Sequence, residues 1–187
     1  MSSGTAFKEQ IKKVRREIQL SCDSKSLLRA LKDTQRCLEG LAGEPNYKLC
    51  VAHLVKELVD WVGLKEDRDW ETAAGKACRS LFEEFLHACH DAEKTTRCFL
   101  VARLYNAFVA LNRKDSCRWT KLHIARLMSL FAIEDEQADL YARVKRAVLK
   151  TVHEMAKSAN AEEIEHGADL LIEMQRKLLV HEAGKPR

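Results

Sequence analysis

Apolar residues recur at intervals of three and four along nearly the whole chain, a spacing that suits the α-helix and little else. A helix gathers residues i, i+3, i+4 and i+7 on one face, so each such run is a rod with a side it must bury. The stretch from Thr95 to Ala132 shows this most plainly. Phe99, Leu100, Leu104, Phe108 and Leu111 line one predicted helix, and Trp119, Leu122, Leu127, Leu130 and Phe131 line a second. The polar run Asn112-Arg113-Lys114-Asp115-Ser116 interrupts the pattern between them. Sheets and their turns consume proline and glycine, and the 187 residues include only 2 and 7 of these.

The other predicted helices follow in order. Phe7, Ile11, Val14 and Ile18 mark the first, with Lys8, Lys12, Arg15 and Arg16 along one flank. The capping cluster Ser21-Cys22-Asp23-Ser24 precedes a second, through Leu27, Leu28, Leu31, Leu38 and Leu41, which stops at Gly40 to Gly43. Pro45 opens a third, whose arc of Leu49, Cys50, Leu54, Val55, Leu58, Val59 and Val62 is wide enough to touch two neighbours. Trp70 to about Asp91 forms a fourth, through Ala74, Ala77, Cys78, Leu81, Phe82 and Phe85. After an acidic entry, Leu140, Val144, Val148, Val152 and Met155 define a seventh. Asn160 and Glu163 match a capping box for an eighth, through Ile164, Leu171, Met174 and Leu178. The expected fold is all-α: about eight antiparallel helices stacked as a short α-solenoid or an irregular helical bundle. Residues 1–187 form one domain on this reading, with a weak subdivision near the polar connector at 63–69. No stretch of 30 to 47 residues repeats in the text of the sequence, although stacked helix pairs need matching stripes rather than matching residues.

Several function classes fall away. No stretch approaches about 18 uninterrupted apolar residues, and the N-terminal segment carries lysines and arginines in place of a signal core, so no membrane role is expected. The seven cysteines, at 22, 37, 50, 78, 89, 98 and 117, show no C-x-x-C spacing, which suggests reduced thiols and a cytoplasmic location, with the nucleus as the alternative. A net charge of +4 is too mild to demand nucleic acid.

Glu84-x-x-His87 and Glu163-x-x-His166 have the form of di-metal bundle motifs. Helical geometry places His87 outside the apolar arc of its helix, and capping accounts for Glu163. The cluster of His87, Cys89 and His90 lacks the angular arrangement of a tetrahedral cage. Cys117 beside Arg118 reads as part of a helix-start turn rather than an activated nucleophile. No phosphate loop, dinucleotide fingerprint or nucleophile elbow occurs. The sequence therefore assigns no catalytic, cofactor-binding or metal-binding residue, and no cofactor. The candidate partner-binding residues are Lys12, Arg15 and Arg16 near the start, and Arg113, Arg118, Trp119 and Lys121 in the middle. Other protein subunits are the favoured partners. Nucleic acid is the alternative, with the basic residues meeting phosphates and Trp119 stacking on a base.

Leu104-Tyr105-Asn106-Ala107-Phe108, followed by Arg118-Trp119-Thr120 and Leu127-Met128-Ser129-Leu130-Phe131-Ala132, resembles the helical-repeat arm of PCI-domain subunits. The likeness is to the M subunit of eukaryotic translation initiation factor 3, and it covers about a fifth of the chain. It implies a non-catalytic subunit that docks other proteins within a large cytoplasmic assembly. A full PCI module also ends in a winged-helix sheet, and nothing after Asp139 reads as strands.

Overall fold

The computed structural model describes residues 3–20, 24–45, 47–62, 68, 71–114, 117–157 and 161–185. It is all-α, with eight helices and no strand among the described residues. These are α1 (Ser3–Gln19), α2 (Ser24–Glu39), α3 (Tyr47–Val62), α4 (Ala73–His87), α5 (Lys94–Leu111), α6 (Arg118–Met128), α7 (Ala138–Lys157) and α8 (Ala161–Ala183). A short 3-10 turn, Asp135–Gln137, leads into α7. The chain divides into two compact units, Met1–Leu100 and Val101–Arg187, and the division falls within α5. The 63–69 connector lies outside the described residues except for Arg68. The Ser21-Cys22-Asp23 part of the α2 cap, the Asn160 cap and the Glu163 side chain lie outside them as well.

In the first unit, α1 packs on α2 and α3, and α4 packs on the same two helices. The bonds between them set their directions. The Cys78 thiol donates to the Ser24 carbonyl at 3.4 Å and the Gln35 amide reaches Glu84 at 3.5 Å, so α2 and α4 run parallel. Arg15 on α1 meets Glu57 on α3, late residue to late residue, so these two also run parallel. The Cys89 thiol, just past the end of α4, donates to the carbonyl of Lys48 at the start of α3. This makes α3 and α4 antiparallel. The unit is therefore two helical hairpins, α1–α2 and α3–α4, laid side by side with like helices adjacent. That arrangement matches the stacking in α-solenoids and needs no textual repeat, because each hairpin requires only an apolar side facing the next.

The core of this unit holds Phe7, Val14, Leu27, Leu31, Leu54, Val55, Leu58, Trp61 and Phe82, all buried. Thr72 caps α4 by accepting the Gly75 N–H at 3.0 Å, so α4 starts at Ala73 rather than at Trp70. Its buried stripe is Gly75, Cys78, Phe82, Phe85 and Leu86. Cys78, Phe82 and Phe85 of the expected stripe lie on it, whereas Ala74, Ala77 and Leu81 are half-buried to one side.

The second unit repeats the hairpin theme with α7 and α8. Val152 on α7 faces Gly167 on α8, and Asp135 at the entry to α7 lies 3.3 Å from His181 near the end of α8. The two helices are therefore antiparallel. Trp119 stacks on His166, with ring centroids 5.7 Å apart, and Ser129 donates to Glu173 at 2.9 Å. These contacts make α6 parallel to α8. A Cβ built at Gly167 would collide with Cγ2 of Val152 and lie 3.2 Å from its Cβ and Cγ1. Absence of that carbon lets the backbones approach. Tyr141 is fully buried and donates to the Met128 carbonyl at 2.6 Å, a second bond on an acceptor at the end of α6 that also takes the Phe131 N–H.

Three apolar positions depart from expectation. Leu49, Phe99 and Trp119, assigned above to the apolar stripes of α3, α5 and α6, are 51%, 41% and 37% exposed. In α5 the buried residues are Leu100, Val101, Leu104, Ala107, Phe108 and Leu111. At about 100° per residue these span roughly a third of the circumference, and Phe99 points away from them.

Candidate functional site

The hairpin arrangement puts α1, α3 and the first turns of α5 along one face of the first unit. On α3 the outward stripe is Leu49, His53 and Lys56, at steps of four and three. On α1 it is Lys8, Ile11, Lys12 and Arg15, again at helical spacing. A groove of about 940 Å³ runs between the two stripes, with Phe7, Ile11, Leu41, Leu49 and Cys50 supplying its apolar surface. A smaller hollow of about 270 Å³ continues from Leu49 and His53 to Thr95, Thr96 and Phe99 on α5. Leu49 and His53 belong to both, so the two hollows form a continuous surface. Exposed Leu49 and Phe99 are its prominent apolar side chains.

Charge is partly settled within the groove. Arg15 clasps Glu57 with two bonds, Nη2 to Oε1 at 2.7 Å and Nε to Oε2 at 3.2 Å. Glu57 hydrogen-bonds to the guanidinium and holds the Arg15 pKa above its ordinary value, with their charge attraction adding to this. Lys12 pairs with Glu9 at 2.8 Å. Lys8 on α1 and Lys56 on α3 line the groove and form no ion pair among the described residues. The groove thus offers apolar side chains flanked by two unmatched cations, against one unmatched carboxylate at Glu44.

The sequence-assigned residues are distributed as follows. Lys12 and Arg15 line this groove, although each holds an internal carboxylate, and Arg16 on α1 is exposed outside its lining. Arg113, Arg118, Trp119 and Lys121 belong to the second unit. Arg113 is exposed, Arg118 half-buried, and Trp119 is 37% exposed with its ring against His166. Lys121 is only 7% exposed and donates to Asn112 Oδ1 at 3.0 Å, which removes it from any open basic surface. Leu49, His53, Lys56 and Phe99 were missed. The available signal was an apolar residue in register with polar ones: Leu49 falls four residues before His53 and seven before Lys56, while Phe99 follows Thr95 and Thr96 and precedes Arg103.

The other clusters have local explanations. Cys78 and Cys89 are buried, and desolvation pushes their thiols up to about 11 and about 12. Burial raises the Cys50 thiol too. Protonated thiols are poor nucleophiles and poor metal ligands. His90 Nδ1 lies 2.9 Å from the His87 carbonyl, while His87 and Glu84 are exposed on α4. Six cysteines among the described residues are free, and those residues include no group of three potential metal ligands. No described helix is long and apolar enough to cross a membrane. Neither a protein-family model, nor a curated protein, nor a solved structure matches this chain.

Proposed function

We propose that the chain is a non-enzymatic helical adaptor that docks another protein on the α1–α3–α5 face of its first unit. The observation that carries this reading is the exposure of Leu49 and Phe99 along one continuous hollow. A leucine on α3 and a phenylalanine on α5, both held in water beside one hollow, suit an apolar helix face laid into the groove. The unmatched Lys8 and Lys56 favour acidic residues beside the apolar ones on that partner. The Arg15–Glu57 ion pair keeps α1 seated on α3, so the groove exists before binding. The resemblance of the α5–α6 region to PCI-domain arms supports the same class of role, a subunit of a larger assembly concerned with translation initiation.

Photo-crosslinking tests it. A photoreactive side chain at position 49 is compared in cells with one at Leu179 on α8, and the crosslinked peptides are sequenced. The expected result is one protein captured through an acidic amphipathic helix at position 49 only, and lost when Phe99→Asp is added. Equal capture at both positions, or capture that survives Phe99→Asp, overturns the docking face.

A further inference from the structure

A second recess, of about 490 Å³, lies in the other unit, between the turn after α6 and the C-terminal half of α8. Volumes of roughly 300–1,000 Å³ are typical of small-ligand sites. Leu130, Ile133 and Val180 give it apolar walls backed by buried Phe131, and the remaining wall is built from Arg176, Lys177 and His181. No carboxylate lines it.

The surrounding charges define what could enter. Arg176 and Lys177 form no ion pair or hydrogen bond among the described residues. Glu173, one turn earlier on α8, accepts from Ser129 Oγ at 2.9 Å, and its field only partly offsets the burial that lowers the Lys177 pKa. His181 Nε2 lies 3.3 Å from Asp135 Oδ1 without forming a hydrogen bond, and Lys185 approaches the same oxygen at 3.7 Å. Arg176 and Lys177 are the fixed cations of the lining, whereas Glu173 and Asp135 lie outside it and Lys185 is held near Asp135. One carboxylate can offer an oxygen to each lining cation, and the field of Glu173 at Lys177 opposes a second negative charge. The apolar walls call for a hydrocarbon tail behind the anionic head.

We propose that this recess binds an aliphatic monocarboxylate, with its tail against Leu130, Ile133 and Val180 and its carboxylate between Arg176 and Lys177. The guanidinium of Arg176 offers the planar donor pair that fits a carboxylate, and Lys177 offers a partly desolvated point charge whose attraction water screens less. The ligand belongs to unit two alone, so the inference stands independently of the docking face.

Calorimetric titration of the full chain with octanoate tests it, with octan-1-ol and octyl phosphate as comparison ligands. Octanoate binds with one-to-one stoichiometry, and each added methylene from hexanoate to decanoate tightens binding about fourfold, as burial of one CH₂ group requires. Octanol and octyl phosphate bind at least about tenfold more weakly, the alcohol for want of a charge-assisted bond. Arg176→Gln and Lys177→Met each weaken octanoate about tenfold by the same loss while leaving the circular dichroism and melting temperature unchanged. A proton is taken up on binding at alkaline pH, because a carboxylate beside Lys177 favours its charged form, and this uptake vanishes in Lys177→Met. Absence of saturable octanoate binding, equal binding of the alcohol or the phosphate, or full affinity in a folded Lys177→Met variant overturns the proposal.

Discussion

Arg15 grips Glu57 through two hydrogen bonds across 42 residues of sequence, and this pair sets the register of α1 on α3. The fork of the guanidinium matches both carboxylate oxygens, so the contact fixes direction as well as distance. Arg15→Gln is expected to loosen α1, with faster amide hydrogen exchange through Phe7–Ile18 than in the Arg16→Gln control. Arg15→Lys restores only part of the protection, because a point charge cannot hold two oxygens at once. Equal exchange in the Gln variants at 15 and 16 would show that apolar packing alone seats the helix.

Gly167 and Val152 provide a test in which two effects oppose each other. Alanine favours a helix interior over glycine by about 1 kcal/mol. The added carbon would meet the Val152 side chain, and overpacking of this kind costs about 1–3 kcal/mol. The clash wins, so Gly167→Ala lowers stability in urea denaturation. Val152→Ala removes both γ-methyl groups and leaves only its Cβ at 3.2 Å, so in that background the same change at 167 costs less.

Tyr141→Phe removes the hydroxyl bonded to the Met128 carbonyl. That oxygen also accepts the Phe131 N–H at 3.2 Å, so it keeps one partner. The expected loss is about 1 kcal/mol, the net contribution of one hydrogen bond, read from the denaturation midpoint.

The raised thiols make stability depend on alkaline pH. Cys78 and Cys89 hold their protons in the folded chain to about 11 and about 12, whereas an ordinary thiol loses its proton near 9.0. Above that lower value the unfolded chain releases protons that the folded chain keeps, so stability falls as pH rises from about 9 toward 12. The melting temperature declines through this window, and Cys78→Ala with Cys89→Ala flattens the decline. In native protein near neutral pH, iodoacetamide labels half-buried Cys37 and Cys98 ahead of the buried pair.

Leu49→Asp and Phe99→Asp change stability by less than about 0.5 kcal/mol, the usual range for surface sites. A Leu58→Asp control, at a fully buried position on the same α3, unfolds the chain. Near-neutral stability at 49 and 99 keeps the docking experiment free of folding artefacts.

The helices were legible because a 3.6-residue period survives in plain text. Val14, Leu31, Val144 and Met174 all fell on the buried sides that spacing assigns. Periodicity identifies apolar residues without stating which are covered, and Leu49 and Phe99 were misplaced for that reason. Coverage depends on neighbours distant in sequence. Lys121 reads as surface charge until the chain turns and brings Asn112 to its ammonium. Arg15 reads as a free cation until α3 supplies Glu57. Tyr141 was passed over for Leu140, because the step from Leu140 to Val144 fits a stripe while the true one begins a residue later and includes a hydroxyl. The parallel α1–α3 arrangement, on which the candidate face rests, leaves no mark in local spacing.

The side-by-side hairpins of the first unit also bear on how this half of the chain acquires structure. The main partners of each helix there lie no more than two helices away along the chain. Short loops are cheap to close, so α1–α2 can zip before α3 arrives and then serve as a template for it. Refolding of this half on the millisecond scale or faster follows, without a slow search among distant segments.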